Sequence, residues 1–240
     1  MKNAIKYVLQ KVLGYQRYLF VFAKRKIRTL KTDKKEGDFF AFMNAIDQEG
    51  DLLDVGANIG IMSIHLSQRF SNRTILAIEP MPSNLSVLMR VIAHYEAKNV
   101  EVIATAVGDK DGEEVEMVLP LNGKVKMQGL AHVVHDSITE WNEGEKFKIA
   151  SDTIDTIVGN RTISGIKMDI ENYEYYGLLG AQKLLQRDKP VLYLELWENE
   201  NRTRCFDYLK SLGYEVFVNT QKGLTPFDPA IHQVQNFIFK

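Results

Sequence analysis

The sequence predicts an α/β protein: a doubly wound, mostly parallel sheet of seven strands behind an N-terminal helical extension. Three observations carry that reading. From residue 51 onward, short apolar runs of strand length alternate with segments of helical spacing, and such alternation implies βαβ units with helices on both sheet faces. The stretch "LLDVGANIG" passes from an apolar strand through two glycines into a helix, the kind of corner at which such sheets bind ligands. A length of 240 residues, 45% hydrophobic and 25% charged, suits one core with an appendage better than two full domains.

The elements follow in order. "LLDVG" reads as a buried parallel strand, and "IGIMSIHLSQRF" after it has helical spacing. "TILAIEP" is the second strand, stopped by Pro80; Ser83 is placed as N-cap of "NLSVLMRVIAHY", whose Leu85, Leu88, Met89 and Ile92 make one face. "VEVIATAVG", "GIKMDI" and "PVLYLEL" are the next strands, with helices over 173–186 and 201–211. "YEVFV" and "QNFIF" finish the sheet as a hairpin supplying an antiparallel edge strand. The expected division is a basic amphipathic extension over 1–37 and one domain over 38–240, interrupted by an insertion at 108–150.

Charge is unevenly placed. Residues 1–35 hold eleven Lys or Arg against one acid, Asp33, a net +10; the remainder holds nineteen bases against thirty acids, a net −11. Ile5, Val8, Leu9, Val12, Leu13 and Leu19 recur in this arm at helical spacing. A helix of this kind lies on an anionic membrane surface, meets an acidic partner, or packs on its own domain with its lysines in water, and the sequence leaves all three open. Nucleic acid is not expected as a partner, because the body is acidic and lacks basic residues interleaved with stacking aromatics. No apolar run reaches the ~20 residues that cross a bilayer. The best, "YLFVFA" at 18–23, is framed by Arg17 and Lys24 without a cleavage site, so no signal peptide is expected. The single cysteine, Cys205, lies in a segment of core-helix spacing, which predicts a packing role and a reducing, cytoplasmic compartment, peripheral at the inner membrane surface where the arm engages lipid.

The first corner points to a nucleoside. Gly56 stands where the chain turns and Gly60 where the helix begins, so backbone can approach a ligand closely. Nineteen residues after Gly60, Glu79 ends the second strand, the position from which an acid grips both hydroxyls of a ribose. The spacing G-x-x-x-G departs from the dinucleotide fingerprint, and Asp54 would repel a pyrophosphate while welcoming a cation. S-adenosylmethionine is a nucleoside with a sulfonium and an ammonium and no phosphate, and it is the expected cofactor. A nicotinamide-dependent oxidoreductase of related topology and a non-catalytic module that binds an anionic surface are the competing readings.

"DVGANIG", "AIEP", "TAVGDKDG", "TID", "IKMDIENYEYYGLLGA" and "PVLYLEL", in that order, resemble the FkbM-type family of S-adenosylmethionine-dependent methyltransferases over roughly residues 38–240. The most specific part is the K-x-D-x-E-x-x-E string at Lys167, Asp169, Glu171 and Glu174. The resemblance implies a class I, Rossmann-like methyltransferase fold and methylation of a hydroxyl, on a sugar, glycolipid or related small molecule. It also implies that Asp54, Gly56, Asn58 and Gly60 hold the methionine part of the cofactor, Glu79 the ribose, and the segment at Ala106 and Val107 the adenine. One departure stands out: Asn172 occupies a place where the family usually has glycine. If that turn needs positive φ, asparagine is among the best substitutes, and its side chain would stand beside Tyr173, Tyr175 and Tyr176 near the acceptor.

Methyl transfer is an in-line displacement at an activated carbon, so the protein has to position the acceptor oxygen and remove its proton. Asp169, ending the fourth strand, and Glu171, two residues on, are the candidate catalytic pair, Asp169 also lying beside the cofactor; an extended chain there points both to one side of the sheet. Two close carboxylates push one pKa upward, which suits a general base. The competing reading pairs Lys167 with Glu171 or Glu174 as a structural clamp. Glu195 is read as a hydrogen-bonding partner for a neighbouring loop.

The insertion reads as a hairpin, "EEVEMVLPLNGKVKMQGL", with Asn122-Gly123 at its tip, placed to cover the acceptor. No metal is expected, since His132 and His135 sit in an extended setting where i and i+3 point apart and no third ligand joins them. His135 or Ser137 is a candidate for holding a sugar hydroxyl, Trp141 is either core or a stacking surface, and Asp155 is read as a helix cap.

Overall fold

The computed structural model describes residues 2–123, 125–136, 138 and 141–240. Along the chain run α1 (Lys2–Leu13), α2 (Tyr15–Thr29), α3 (Gly37–Ala45), β1 (Asp51–Val55), α4 (Ile61–Arg69), β2 (Ile75–Ile78), α5 (Pro82–Tyr95), β3 (Val100–Ile103) and β4 (Ala106–Val107). The insertion supplies β5 (Glu113–Asn122), β6 (Val125–Lys126), β7 (His132–Val133) and β8 (Gly144–Asp152). There follow α6 (Ile154–Val158), β9 (Ile163–Met168), α7 (Glu174–Leu179), α8 (Gln182–Asp188), β10 (Val191–Glu195), α9 (Glu200–Ser211), β11 (Val216–Thr220), β12 (Gly223–Pro226) and β13 (Asn236–Phe239).

The main sheet has the order β12-β11-β13-β10-β9-β1-β2-β3. The strands β3, β2, β1, β9 and β10 pair in parallel, and β1, with Leu52, Leu53 and Val55 buried, occupies the middle. The seven expected strands are all there, with an eighth added. The hairpin partner of β11 is the short β12, while β13 inserts antiparallel between β10 and β11. The edge is therefore β12 rather than a strand of the "YEVFV"/"QNFIF" pair. Phe237 and Phe239, on one face of β13, are fully buried in the core under α9.

Local chemistry explains three further departures. "VEVIATAVG" is not one strand: the Thr105 hydroxyl bonds to Ala150 O and Asp152 Oδ2, both at 3.0 Å, and draws β4 away to pair in parallel with β8. The helix expected over 173–186 breaks into α7 and α8 at Gly180, whose carbonyl accepts Asp155 N at 2.8 Å and where a Cβ would stand 2.1 Å from the Gly108 carbonyl oxygen. Ser83 does not cap α5; Pro82 takes the first helical position, suited by its fixed φ. Asp155 does cap, accepting the backbone N–H groups of Lys183 and Leu184 at the start of α8, both at 2.9 Å.

Helices cover both faces of the sheet, α6, α8 and α9 through Ile154, Leu185 and buried Cys205 on one, α3 and α4 through Phe42 and Leu66 on the other. The extension is two helices hinged at Gly14, φ 76°. On α2, Leu19, Phe20, Ala23 and Ile27 form a core cluster with Ile64 of α4 and Val87 and Val91 of α5. Met89, grouped with Leu85, Leu88 and Ile92 on one face of α5, is exposed. One face of α2 is thus core, while Val8, Leu9, Val12 and Leu13 of α1 and Val21 and Phe22 of α2 are exposed. Among the described residues no helix is long and apolar enough to cross a membrane.

Candidate functional site

The carboxyl ends of β1, β2 and β9 meet at two adjoining cavities. The turn after β1 is held by Gly56 N and Ala57 N donating to Ile78 O at 3.0 and 2.9 Å. Gly56 has φ 74°, and a Cβ there would stand 2.0 Å from Asp169 O. Gly60, φ 83°, lies under Leu88. Glycine is obligatory at both places for conformation and for space. Asn58, φ 52°, donates its backbone N–H to Glu79 Oε2 at 2.8 Å.

Glu79 follows β2 and is almost wholly buried. Its Oε1 accepts from Met81 N at 2.9 Å and Asn84 Nδ2 at 3.2 Å. Three donors leave acceptor capacity on the two oxygens, and the carboxylate lines the inner cavity. Burial pushes its pKa up to about 7, against the opposing pull of those hydrogen bonds.

The inner cavity is walled by Gly56, Asn58, Glu79, Ala106, Val107 and Asp169, with Met117 and Val133 of the insertion. The insertion therefore walls the cofactor side of the site, and through Gln128 and Gly129 it reaches the outer cleft as well. Three side-chain oxygens on this wall, Asn58 Oδ1, Asn84 Oδ1 and Gln128 Oε1, are buried without a donor among the described residues. Buried acceptors in native proteins have partners. These await a ligand rich in N–H and O–H, and S-adenosylmethionine presents an ammonium, a ribose diol and an adenine amino group.

The outer cleft is more open, about 1520 Å³, and is lined by Phe22, Lys26, Lys167, Glu195, Trp197 and Gln235, sharing Gly56, Asn58, Asp169 and Glu171 with the inner cavity. Asp169 and Glu171 form the floor common to both. They do so by a different route from the extended chain expected: Glu171 and Asn172 are left-handed, φ 57° and 74°, so the chain turns sharply after β9. The buried Glu174 holds this turn, accepting Ile170 N at 2.9 Å. Asn172 does sit at a positive φ, as its replacement of glycine requires. Its side chain lies away from both cavities, Oδ1 accepting from Asn199 Nδ2 at 2.8 Å.

Asp54 is the main correction. Its carboxylate is fully buried, faces neither cavity, and is shared between Ser63 Oγ at 2.5 Å and Lys167 Nζ at 3.2 Å. Lys167 stands opposite it in the β1–β9 register and also donates to Gly56 O at 2.9 Å. The cation that Asp54 meets is the protein's own lysine, and Lys167 clamps neither Glu171 nor Glu174. Burial pulls the Lys167 pKa down, but the charges of Asp54 and Asp169 outweigh it and hold the ammonium above its ordinary value.

Lys167 also reaches Asp169 Oδ2 at 3.9 Å, but one ammonium shared with Asp54 does not offset burial and mutual repulsion among the acids at the cavity floor. Burial and the charges of Asp169, Glu195 and Glu174 push Glu171 up to about 10. The charge of Asp169, then burial, raises Glu195 to about 7; burial raises Glu174 to about 8 and lifts Asp169 above its usual range. A welcome for a cationic ligand therefore resides here, one layer nearer the cavities than Asp54. A stability effect follows. Unfolded glutamates titrate near 4.3, so from about pH 5 to pH 8 the folded chain binds more protons than the unfolded one, and stability falls as pH rises. His65, lowered by burial, opposes this as a single group, and Asp111 and Asp188, also lowered, act only in acid. Urea midpoints measured across this range are expected to drop; a rising midpoint would show that the acids are solvated.

The remaining candidates are placed as follows. Both ring nitrogens of buried His132 are engaged, by Leu130 O at 2.8 Å and Asn142 Oδ1 at 3.0 Å, and no group of three or more metal-ligating residues occurs among the described residues. The His135 ring lies 4.7 Å from Tyr176 and 5.7 Å from Tyr173, beside the inner cavity. Ser137 lies outside the described residues. Trp141 is exposed, whereas Trp197 lines the outer cleft. Sequence reasoning missed Asn84, Gln128 and the α2 residues Phe22 and Lys26, none of which stands in a motif.

A doubly wound sheet with a glycine corner on β1, a carboxylate after β2 and a donor-seeking cavity between them defines a nucleoside-binding fold of the class I methyltransferase type. Residues 54–216 match the methyltransferase FkbM domain, and the chain belongs to that family, whose methyl donor is S-adenosylmethionine. Among solved structures, methyltransferase FkbM from Methylobacillus flagellatus KT matches 99% of this chain at 18% identity with a TM-score of 0.56; this chain spans 58% of that protein. Fibrillarin from Aeropyrum pernix, in complex with S-adenosyl-L-methionine, matches 81% of this chain and 67% of its own at 13% identity and a TM-score of 0.47. A SAM-dependent methyltransferase from Aquifex aeolicus matches 90% and 96% at 16% identity and 0.46. No curated protein matches the chain.

Proposed function

We propose that this chain methylates a hydroxyl oxygen of a sugar, glycolipid or related metabolite held in the outer cleft. The observation that carries the reading is that Asp169 and Glu171 line both cavities at once, so a group on this floor touches cofactor on one side and acceptor on the other. Glu79 takes the ribose hydroxyls, the unpaired carbonyl oxygens of Asn58, Asn84 and Gln128 take the cofactor's remaining donors, and Ala106 and Val107 flank the base. The cofactor, when bound, supplies a methyl group activated by its sulfonium. A bound cation would lower the cost of ionising Asp169 and Glu171, one of which then draws the acceptor's proton as its oxygen bonds to the methyl carbon, the carbon–sulfur bond breaking with its electron pair left on sulfur. Membership of the FkbM family sets the nicotinamide reading aside.

Incubation with labelled S-adenosylmethionine and pooled hydroxylated glycans, lipids and small metabolites tests the assignment; label in an alkali-stable ether on one pool is expected. A chain that binds the cofactor yet labels no hydroxyl compound would be a non-catalytic module or act on another atom. The cofactor is expected to raise the melting temperature, since it binds the native state. Replacing Glu79 by alanine is expected to weaken cofactor binding by about 1.5–3 kcal/mol, the range for hydrogen bonds to a charged group. Calorimetry showing unchanged affinity in that variant would remove Glu79 from the ribose site.

A further inference from the structure

Helix α1 is turned inside out. Towards the protein it presents Gln10, only 9% exposed, whose Nε2 donates to Lys126 O at 3.4 Å, and half-buried Lys6, whose Nζ lies 3.8 Å from the Met127 sulfur. Away from it, on the opposite helical face, stand Val8 and Val12, exposed by 55% and 75%, with Leu9, 41% exposed, on the flank. A helix on the surface of a globular domain normally does the reverse. The neighbouring α2 adds Val21 and Phe22, also exposed, and Lys11, Arg17, Arg25 and Arg28 stand exposed among these apolar residues.

From this arrangement we propose that α1 and the outer face of α2 form an interfacial anchor that docks the protein on an anionic lipid bilayer. Apolar residues flanked by Lys and Arg are what a helix lying in the headgroup plane requires, the first entering the acyl boundary and the second reaching the phosphates. Charge gives the orientation. An anionic surface attracts the arm at +10 and repels the remainder at −11, so a single field both binds and aligns the molecule. A second copy is a poor occupant, because a twofold contact would set one +10 arm against another. Phe22 and Lys26 of α2 also line the outer cleft, so a bilayer on this face brings its headgroups to the mouth of that cleft. Resting on the methyl-transfer reading, the acceptor is then a hydroxyl carried on a membrane lipid, while the docking itself does not depend on that reading.

Flotation of the full chain tests the anchor, using phosphatidylglycerol/phosphatidylcholine vesicles and pure phosphatidylcholine vesicles as probes. Flotation with the anionic vesicles alone is expected, with release at high salt. Val8→Asp/Val12→Asp is expected to lower the bound fraction about tenfold or more, with melting temperature unchanged. Should that variant melt early, Lys11→Glu/Arg17→Glu takes its place with the same expectation. Failure to float, or flotation that neither variant reduces, overturns the proposal. So does a dimer that Val8→Asp/Val12→Asp dissolves, or retention on polyglutamate without flotation, which assign the face to a second copy or an acidic protein. The cofactor-induced rise in melting temperature is read on the same samples. Its absence with flotation intact would count against the methyl-transfer reading and leave the anchor standing.

Discussion

Replacing Lys167 by methionine is expected to lower the unfolding free energy by about 3–5 kcal/mol, the cost of stranding one partner of a buried ion pair. The geometry makes the effect large. Lys167 and Asp54 are both buried at the centre of the sheet, 3.2 Å apart. The ammonium also satisfies Gly56 O at 2.9 Å, so its loss uncaps the turn that carries the cofactor site. Without it, Ser63 is the one remaining partner in contact with the Asp54 carboxylate among the described residues. A total stability of 5–15 kcal/mol is typical of a folded protein, so the variant is expected to unfold at much lower urea and to lose cofactor binding with the turn. The cost comes from the buried charge left unpaired, not from losing the pair as such. Lys167→Met/Asp54→Leu is therefore expected to recover much of the loss, because apolar residues of similar volume often replace a buried ion pair without penalty. A single variant that loses less than about 1 kcal/mol would mean that water reaches Asp54 and that the pair is solvated.

Asp54 also shows where sequence reasoning ends. Its place at the end of β1, the two glycines and Glu79 were legible because each is fixed by backbone geometry: a strand end, a positive φ, a close approach. The direction of a side chain in a fully buried sheet is not so fixed. Residues on the two faces of β1 are equally covered, so nothing in "LLDVG" says whether the acid turns to the ligand or to the neighbouring strand, and Lys167 becomes visible as its partner only through the β1–β9 register. Asn172 is the opposite case, since a residue tolerant of positive φ in the usual place of glycine announced the turn, and the structure has it at 74°. What it did not announce is that Glu171 shares the left-handed conformation, so the two acids reach one floor by a reversal of the chain. The arm was half legible. Helical spacing was evident throughout it, but a stripe that faces a core and a stripe that faces away are identical in sequence. Only the contacts of α2 with α4 and α5, and of Gln10 with the insertion, separate them.

Glu171→Gln is expected to slow methyl transfer about 10²-fold to 10⁴-fold, the usual contribution of a positioned acid or base, while the cofactor still raises the melting temperature. Burial, with the charges of Asp169, Glu195 and Glu174, places Glu171 at about 10 against the opposing pull of Lys167. At neutral pH the group then holds its proton and accepts none from an acceptor hydroxyl. A cationic ligand in the inner cavity, which Glu171 lines, favours the ionised form and moves the pKa down. The sign of the pH effect follows. Ionised Glu171 becomes more abundant as pH rises, so the wild-type rate is expected to climb from neutral into alkaline solution, and cofactor affinity to climb with it as Glu79, at about 7, also loses its proton. Glutamine copies the protonated shape and cannot ionise, so the variant should bind cofactor through Glu79 and the unpaired carbonyl oxygens yet lose the upper limb of the pH profile. Near-normal turnover in the variant would pass the proton to Asp169 or Glu195, which share the outer cleft. A collapse of melting temperature together with cofactor binding would mark Glu171 as support for the left-handed turn instead, and Asp169→Asn, which leaves that turn's φ angles untouched, would then decide whether any acid on the floor takes the proton.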